Sequence, residues 1–363
     1  MKVAILQNSI GIGGRSKVIA EAIRTLSVRG VEIELLTLSN KKRISEFKEY
    51  YDLEAYEISL HQYQDVTKLL PGTLYQQLGL NWIAKDDIRK YDFVFNSNNC
   101  LRFLPENPKY MHYIHLPVPK IPEVNERYNS SLLLGLYQVP MRIIQHLYEG
   151  KSRQGVVITN SQFTAYHYKQ AYGSPPDEII YPPSIESVDF ESFSGDGVAS
   201  LGSFHPNKRQ LFQIQVAEQL PDIPFTIIGN SASSSYYHRC VQYINANNIN
   251  NVTLRKDASP ATINNVLNEK RIFLHSMKNE PFGISTVEAL NSGCIPVTHD
   301  SGGQKEVIPD SRFRYRSKSE CIKVIKRIEE GEQIPDQDKV INRLEDYTVS
   351  SFRSDISNYL NHV

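Results

Sequence analysis

NEPFGISTVEALNSGCIPV, residues 279–297, carries two glutamates, Glu280 and Glu288, at a separation of eight positions. A proline, an aromatic, a glycine and two hydroxyl residues lie between them, and an apolar run follows. The spacing predicts a helix beginning near Phe282–Ile284, with Glu280 just before its free amides and Glu288 one to two turns inside. The run IFLHS before it and CIPVTHD after it both read as strands. Strand, helix and strand in that order form the βαβ unit of a parallel sheet.

Working outward, the same alternation fills the second half. Val198–Leu201, PFTIIGN and NVTLRKD read as strands, and Gln210–Gln219 as a helix. The first half repeats the plan. Val3–Gln7 reads as a strand, GIGG as a turn, and the next helix aligns Val18, Ile19, Ala22, Ile23 and Leu26 on one face, with Gly30 as its C-cap. VEIELLTLS, Phe93–Asn96, Tyr110–His115 and Val156–Thr159 are further strands. A double proline at 182–183 and a polar, Gly-containing stretch beyond it divide the halves. The expected domains are 1–188 and 189–345. The tail 346–363 is expected to form a helix, with Phe352, Ile356 and Leu360 at four-residue spacing, that packs back on the first domain.

At 363 residues the chain suits two domains. Lys+Arg and Asp+Glu are 40 each, so no global basic field draws nucleic acid and any anion site is local. Cys100, Cys240, Cys294 and Cys321 show no CxxC pair or zinc spacing, so free thiols are expected. The N-terminus reads as a first strand rather than a signal peptide. No run reaches the roughly 18–20 apolar residues of a membrane span. KDDIRK, residues 85–90, reads as a solvated charge cluster, and no Asp-x-Asp metal motif stands out, so no metal site is expected.

The glycine turn does not match the dinucleotide fingerprint. Gly11 and Gly13 fit, but the third position is Ser16, and the second strand ends in TLSNKK without the ribose-binding acid. Gly13 and Gly14 still allow an anion or backbone to approach closely; a turn that merely needs positive φ is the alternative. The glutamate pair also has two readings. Eight helical residues cover at most about 12 Å, comparable with a nucleotide sugar from hexose to ribose. Glu280 could then take sugar hydroxyls and Glu288 the ribose diol, with the helix amides and dipole favouring a diphosphate between them. Otherwise Glu280 supports the helix N-terminus and Glu288 is a solvated side chain.

EPFGISTVEAL resembles the E-x7-E signature of the retaining GT-B glycosyltransferases of family 4. Other pieces align with it. SLGSFHPNKRQ is similar to the strand and loop that open the family's second domain, with Lys208 in the place of its diphosphate-binding lysine. MHYIHLP resembles the His-bearing strand end of the first domain, VVITNSQFTAYHYKQAYG the interdomain passage, and DSGGQKEVI the GG-x-x-E loop. The likeness covers most of the chain and is least clear over 40–90. YIHLP, SLGSFHPNK and GIGGRSKV resemble the branch that extends lipid-linked oligosaccharides. One departure is Ser203, where many members carry Arg. It leaves Arg209, His205 or Arg15 to assist Lys208.

The resemblance implies an α/β GT-B fold, two Rossmann-like domains facing across a cleft. It implies transfer of a hexose, with retention, from a UDP- or GDP-linked donor to a saccharide or lipid-linked saccharide, with no cofactor and no metal. Lys208, Glu280 and His115 are the implied catalytic residues. Gly13, Gly14, Ser203, Arg209, Phe282, Gly283, Ile284 and Glu288 are the implied donor-binding residues. His115 also reads as a core histidine, and least well as a general base, since the departing phosphate is thought to take the acceptor proton. Lys208 has the plain reading of a surface lysine. The apolar segment 130–148, interrupted by Pro140, reads as a kinked core helix or as an acceptor groove touching a membrane surface. The expected location is cytoplasmic, with peripheral contact at the membrane face. The rival functions are another GT-B sugar-nucleotide enzyme and a non-catalytic binding subunit.

Overall fold

The computed structural model describes residues 1–64, 73–117, 155–230 and 234–360, so the segment 130–148 lies outside the described residues. The described chain falls into two compact units, Met1–Pro183 with Val349–Val363, and Ser184–Thr348. The breaks lie a few residues from the expected 188/189 and 345/346. The reason is local: the Ser184 and Ile185 amides both donate to the Tyr347 carbonyl, at 2.9 and 3.3 Å, and so stay with the second unit.

The first unit contains β1 (Lys2–Leu6), α1 (Gly14–Ser27), β2 (Glu32–Thr37), α2 (Lys41–Tyr50), β3 (Ile58–Gln62), α3 (Thr73–Ile83), α4 (Lys85–Ile88), β4 (Phe93–Asn96), β5 (Lys109–Ile114), β6 (Val156–Thr159), α5 (Gln162–Tyr172) and β7 (Glu178–Ile179). Its described strands run β3-β2-β1-β4-β5-β6-β7, all parallel. β1 is a continuous apolar run because both of its faces are covered. The α1 stripe is sealed as its spacing predicts, with Val18, Ile19, Ala22, Ile23 and Leu26 all buried. Its end differs from expectation: Val28 is the C-cap, and Gly30 (φ 64°) forms the following turn, its amide donating to the Ser27 carbonyl. KDDIRK is the short α4 with its exposed end, where Lys90 pairs with Asp87 at 2.6 Å.

The second unit contains β8 (Val198–Leu201), a 3₁₀ turn (Pro206–Lys208), α6 (Gln210–Ala217), β9 (Phe225–Gly229), α7 (Ser234–Ala246), β10 (Val252–Lys256), α8 (Pro260–Glu269), β11 (Ile272–His275), α9 (Ile284–Asn291), β12 (Ile295–His299), α10 (Gln304–Val307), a 3₁₀ turn (Ser311–Phe313), β13 (Arg314–Tyr315), α11 (Lys318–Glu329) and α12 (Gln337–Glu345). Its described strands run β10-β9-β8-β11-β12-β13, again parallel.

The chain then re-enters the first unit as α13 (Val349–Leu360). Its Phe352, Ile356 and Leu360 join the core formed by α1 and the sheet, and Phe352 meets the Tyr113 ring edge-on at 6.0 Å. Glu21 of α1, buried, accepts from Arg353 of α13 at 2.6–2.7 Å and also pairs with Arg24. The four cysteines are buried free thiols. Burial pushes the Cys100 thiol up to about 11.

Candidate functional site

In an open parallel sheet the strand order reverses at one place, and the loops leaving the carboxyl ends of the two strands there diverge to leave a crevice. In the second unit that place lies between β8 and β11. The loop after β8 turns at Gly202 and Ser203, whose carbonyls both accept from the Gln210 Nε2 at 3.2 and 2.8 Å. His205 caps the 3₁₀ turn by accepting the Asn207 amide on Nδ1. The loop after β11 is tied to this one. Ser276 Oγ donates to the Lys208 carbonyl at 2.7 Å, and an Arg209 Nη1 donates to the Ser276 carbonyl at 3.0 Å. Arg209 (φ 57°) also lays its guanidinium over the Phe212 ring at 4.4 Å. Across the junction Lys208 Nζ donates to Glu280 Oε2 at 2.6 Å. His275 Nε2 stands 3.4 Å from the same oxygen.

Two glycine-rich loops hold Glu280 in place. Gly303 donates its amide to the Glu280 carbonyl at 2.8 Å, and the Asn279 amide donates to Ser301 Oγ at 2.8 Å. A Cβ on Gly303 would lie 2.2 Å from the Pro281 carbonyl oxygen, so the GG pair is what lets the two backbones touch. Phe282 is buried and meets Tyr347 edge-on at 5.2 Å. Gly283 (φ 114°) is the N-cap of α9 and supplies no side-chain cap. Ile284 and Ser285 therefore begin the helix half-exposed, and Glu288 lies half-buried in its second turn.

The electrostatics follow from this packing. Burial would raise the Glu280 carboxyl, but Lys208 and His275 together outweigh it and hold the group well below the usual carboxylate range. Glu280 is thus an anion. Burial lowers the pKa of His275, partly opposed by Glu280, so its imidazole is neutral at pH 7.

The first unit reverses between β1 and β4. Gly13 (φ 139°) precedes α1 with open space where a Cβ would stand, and Gly14 opens the helix. Ser16, which broke the fingerprint, closes the turn by accepting the Gly11 amide at 3.2 Å. His115 follows β5 and is buried; its Nε2 lies 2.9 Å from Ser97 Oγ, and its amide donates to Asn99 Oδ1. Burial first, and the charge of Arg15 second, hold its imidazole well below its ordinary value. His112 is bound to Asn96 and stacked on Tyr110.

The structure therefore brings Lys208, Arg209, Ser203, Glu280, Phe282, Gly283, Ile284 and Glu288 to the loops and helix start of one unit. Gly13, Gly14 and His115 gather in the other. Sequence reasoning missed His275, Ser276 and the buried carboxamides Asn8, Asn96, Asn98 and Asn99. The run NSNNC directly after an apolar strand was the available signal for the last three. Among the described residues no group of three or more His, Cys, Asp or Glu is placed to hold a metal ion, and no helix is long and apolar enough to cross a membrane.

Comparison with known proteins gives a consistent picture. Residues 196–343, nearly the whole second unit, match the family model of the glycosyl transferases group 1. The Anabaena protein HepE, solved with UDP and glucose, superposes with a TM-score of 0.70 over 100% of both chains at 18% identity. Sucrose-phosphate synthase of Thermosynechococcus elongatus does so with a TM-score of 0.73, over 100% of this chain and 98% of that one, at 14% identity. The fold is that of the GT-B glycosyltransferases. A mouse protein named GDP-Man:Man(3)GlcNAc(2)-PP-Dol alpha-1,2-mannosyltransferase is 27% identical over 171 residues, which is 41% of this chain and 35% of the relative. The chain thus matches about a third of the length of that curated relative.

Proposed function

We propose that this protein transfers a hexose from a nucleoside-diphosphate sugar to a saccharide or lipid-linked saccharide acceptor, with retention at the anomeric carbon and without a metal. The observation that carries the reading is the Lys208–Glu280 pair at the strand-order reversal of the unit that matches the group 1 model. Breaking the bond between the anomeric carbon and the diphosphate leaves negative charge on phosphate and positive charge on the sugar. A fixed cation aimed at the diphosphate stabilises that separation more than the ground state. Lys208 supplies it, and the uncapped start of α9 adds amide donors for the same anion. Glu280 accepts hydroxyl hydrogens of the sugar, and Glu288 takes the ribose diol. In the first unit the Gly13–Gly14 turn allows close approach of an anion, with the Gly13 amide held by the Tyr51 hydroxyl and Gly14 opening α1, and His115, whose basicity burial lowers, orients substrate rather than taking a proton.

The relatives named for GDP-Man make GDP-mannose the first donor to assay, and the structure of HepE in complex with UDP-glucose makes that donor the second. Thermal shift identifies the nucleotide, since a ligand bound only by the folded state raises apparent stability. Proton NMR of the product then reads the anomeric configuration. The expected outcome is an α-linked product from an α-linked donor, formed equally in excess EDTA. An inverted product, or activity lost in EDTA and restored by manganese, overturns the corresponding part of the proposal.

A further inference from the structure

Glu280 divides its two oxygens between different surroundings. Oε2 carries both partners, Lys208 Nζ at 2.6 Å and His275 Nε2 at 3.4 Å. Oε1 has no partner among the described residues, and it is not sealed from solvent. His275 itself is 3% exposed and sits on the last residue of β11. Its carbonyl accepts the Tyr315 hydroxyl, so the backbone beneath the ring is pinned as well. A carboxylate held only by a lysine can swing, because the four-carbon stem of a lysine follows it. A ring on a buried strand end cannot follow.

We infer that His275 is a positioning residue: it holds Oε2 of Glu280 from the floor of the site so that Oε1 is presented outward to the sugar. The role fixes a tautomer. A neutral imidazole facing a carboxylate must place its proton on Nε2 and donate it. Nδ1 is then left as a bare acceptor, and it is a buried atom with no hydrogen-bond partner. That vacancy on Nδ1 fits a histidine whose other nitrogen carries the function. The inference rests on the proposed assignment of Glu280 to the donor sugar.

Two measurements test it, and one does not depend on that assignment. In ¹⁵N-labelled full-length protein, the His275 ring should show a protonated Nε2 and a bare Nδ1, and Glu280→Leu should shift the Nε2 signal. A ring protonated on Nδ1, or a signal indifferent to Glu280→Leu, overturns the inference whatever the enzyme does. In kinetics, His275→Phe keeps the ring volume and removes the donor. It should lower turnover by about 10- to 100-fold, the worth of one hydrogen bond to a charged group. Affinity for GDP and UDP should stay within about twofold, because no contact to nucleotide is lost. His275→Gln returns an N–H donor to the Nε2 position and should recover most of the loss. Equal damage from Phe and Gln means that the ring merely packs, and overturns the inference. Wild-type protein that transfers no sugar defeats the proposed function, and the NMR result still decides His275.

Discussion

Lys208 and Glu280 neutralise one another in the free protein, so each is the measure of the other. On the proposed reading Lys208→Ala removes the cation that meets the departing diphosphate, and turnover should fall by roughly 100-fold or more, further than donor affinity falls. Lys208→Arg should recover little, since the wider, planar guanidinium spreads its charge and does not reproduce the single 2.6 Å contact that the ammonium makes with Glu280 Oε2. Steady-state kinetics of both variants, with circular dichroism to confirm folding, decides this; near wild-type turnover in the alanine variant assigns the work to Arg209, although that side chain is already held by Ser276 and Phe212. Glu280 gives a second prediction, in pH. Its folded-state pKa is depressed, so its stabilising contribution is fully present above the ordinary carboxylate pKa of 4.5 and is lost only as pH falls through the lower folded value. The stability difference between wild type and Glu280→Gln should therefore be flat from pH 8 to about pH 5 and narrow below that. Urea unfolding of both proteins across that range checks it; a difference that already collapses between pH 7 and 6 points to a histidine instead.

The element that fixes this chemistry is the pair of loops 279–283 and 301–304, and its demand is steric. Gly303 has an ordinary helical φ of −69°, so any effect of Gly303→Ala comes from the 2.2 Å approach to the Pro281 carbonyl and not from backbone strain. The substitution should destabilise the protein by about 1–3 kcal/mol and weaken nucleotide binding, because the clash with Pro281 and Phe282 shifts the start of α9 and its amide donors. Urea unfolding and calorimetry with GDP measure the two effects; full stability with normal binding shows that the loops separate freely. At this scale much was legible in advance. The helix at 284–291 and its flanking strands follow from glycine, spacing and apolar runs, because local geometry alone sets them. β3 was not legible: ISLHQ is a half-buried edge strand, and one open edge leaves no continuous apolar signature. β13, two residues long, owes its existence to its neighbour β12. His275 escaped because nothing in RIFLHS distinguishes a buried strand-end histidine from one aimed at a carboxylate seen only when the loop closes over it.

Over the whole molecule, the two units are not written in the order in which they are assembled. The first needs α13, which follows the second in the chain. Arg353 reaches the buried Glu21, and Phe352 and Ile356 fill the core beside α1. Arg353→Ala should cost about 1–3 kcal/mol, less than for a sealed ion pair because Arg353 is itself 41% exposed and Arg24 remains. Ending the chain after Thr348 should cost far more, since it strips an entire apolar face from α1. Differential scanning calorimetry should show the loss in the transition of the first unit alone; a truncated chain melting like wild type overturns the assignment of α13 to that core. The sequence carried the helix and its four-residue stripe, but the acidic clasp at Glu21, hundreds of positions away, could be seen only in three dimensions. The same arrangement sets a timetable on the ribosome. Domains usually complete in the order they emerge, N-terminal first. Here residues 184–348 are all made before α13, while Met1–Pro183 waits, with its α1 stripe uncovered, for that helix to emerge. The unit 184–348 is thus complete in sequence before the unit that starts ahead of it, and the latter is the one open to chaperones and to misassembly in the interval.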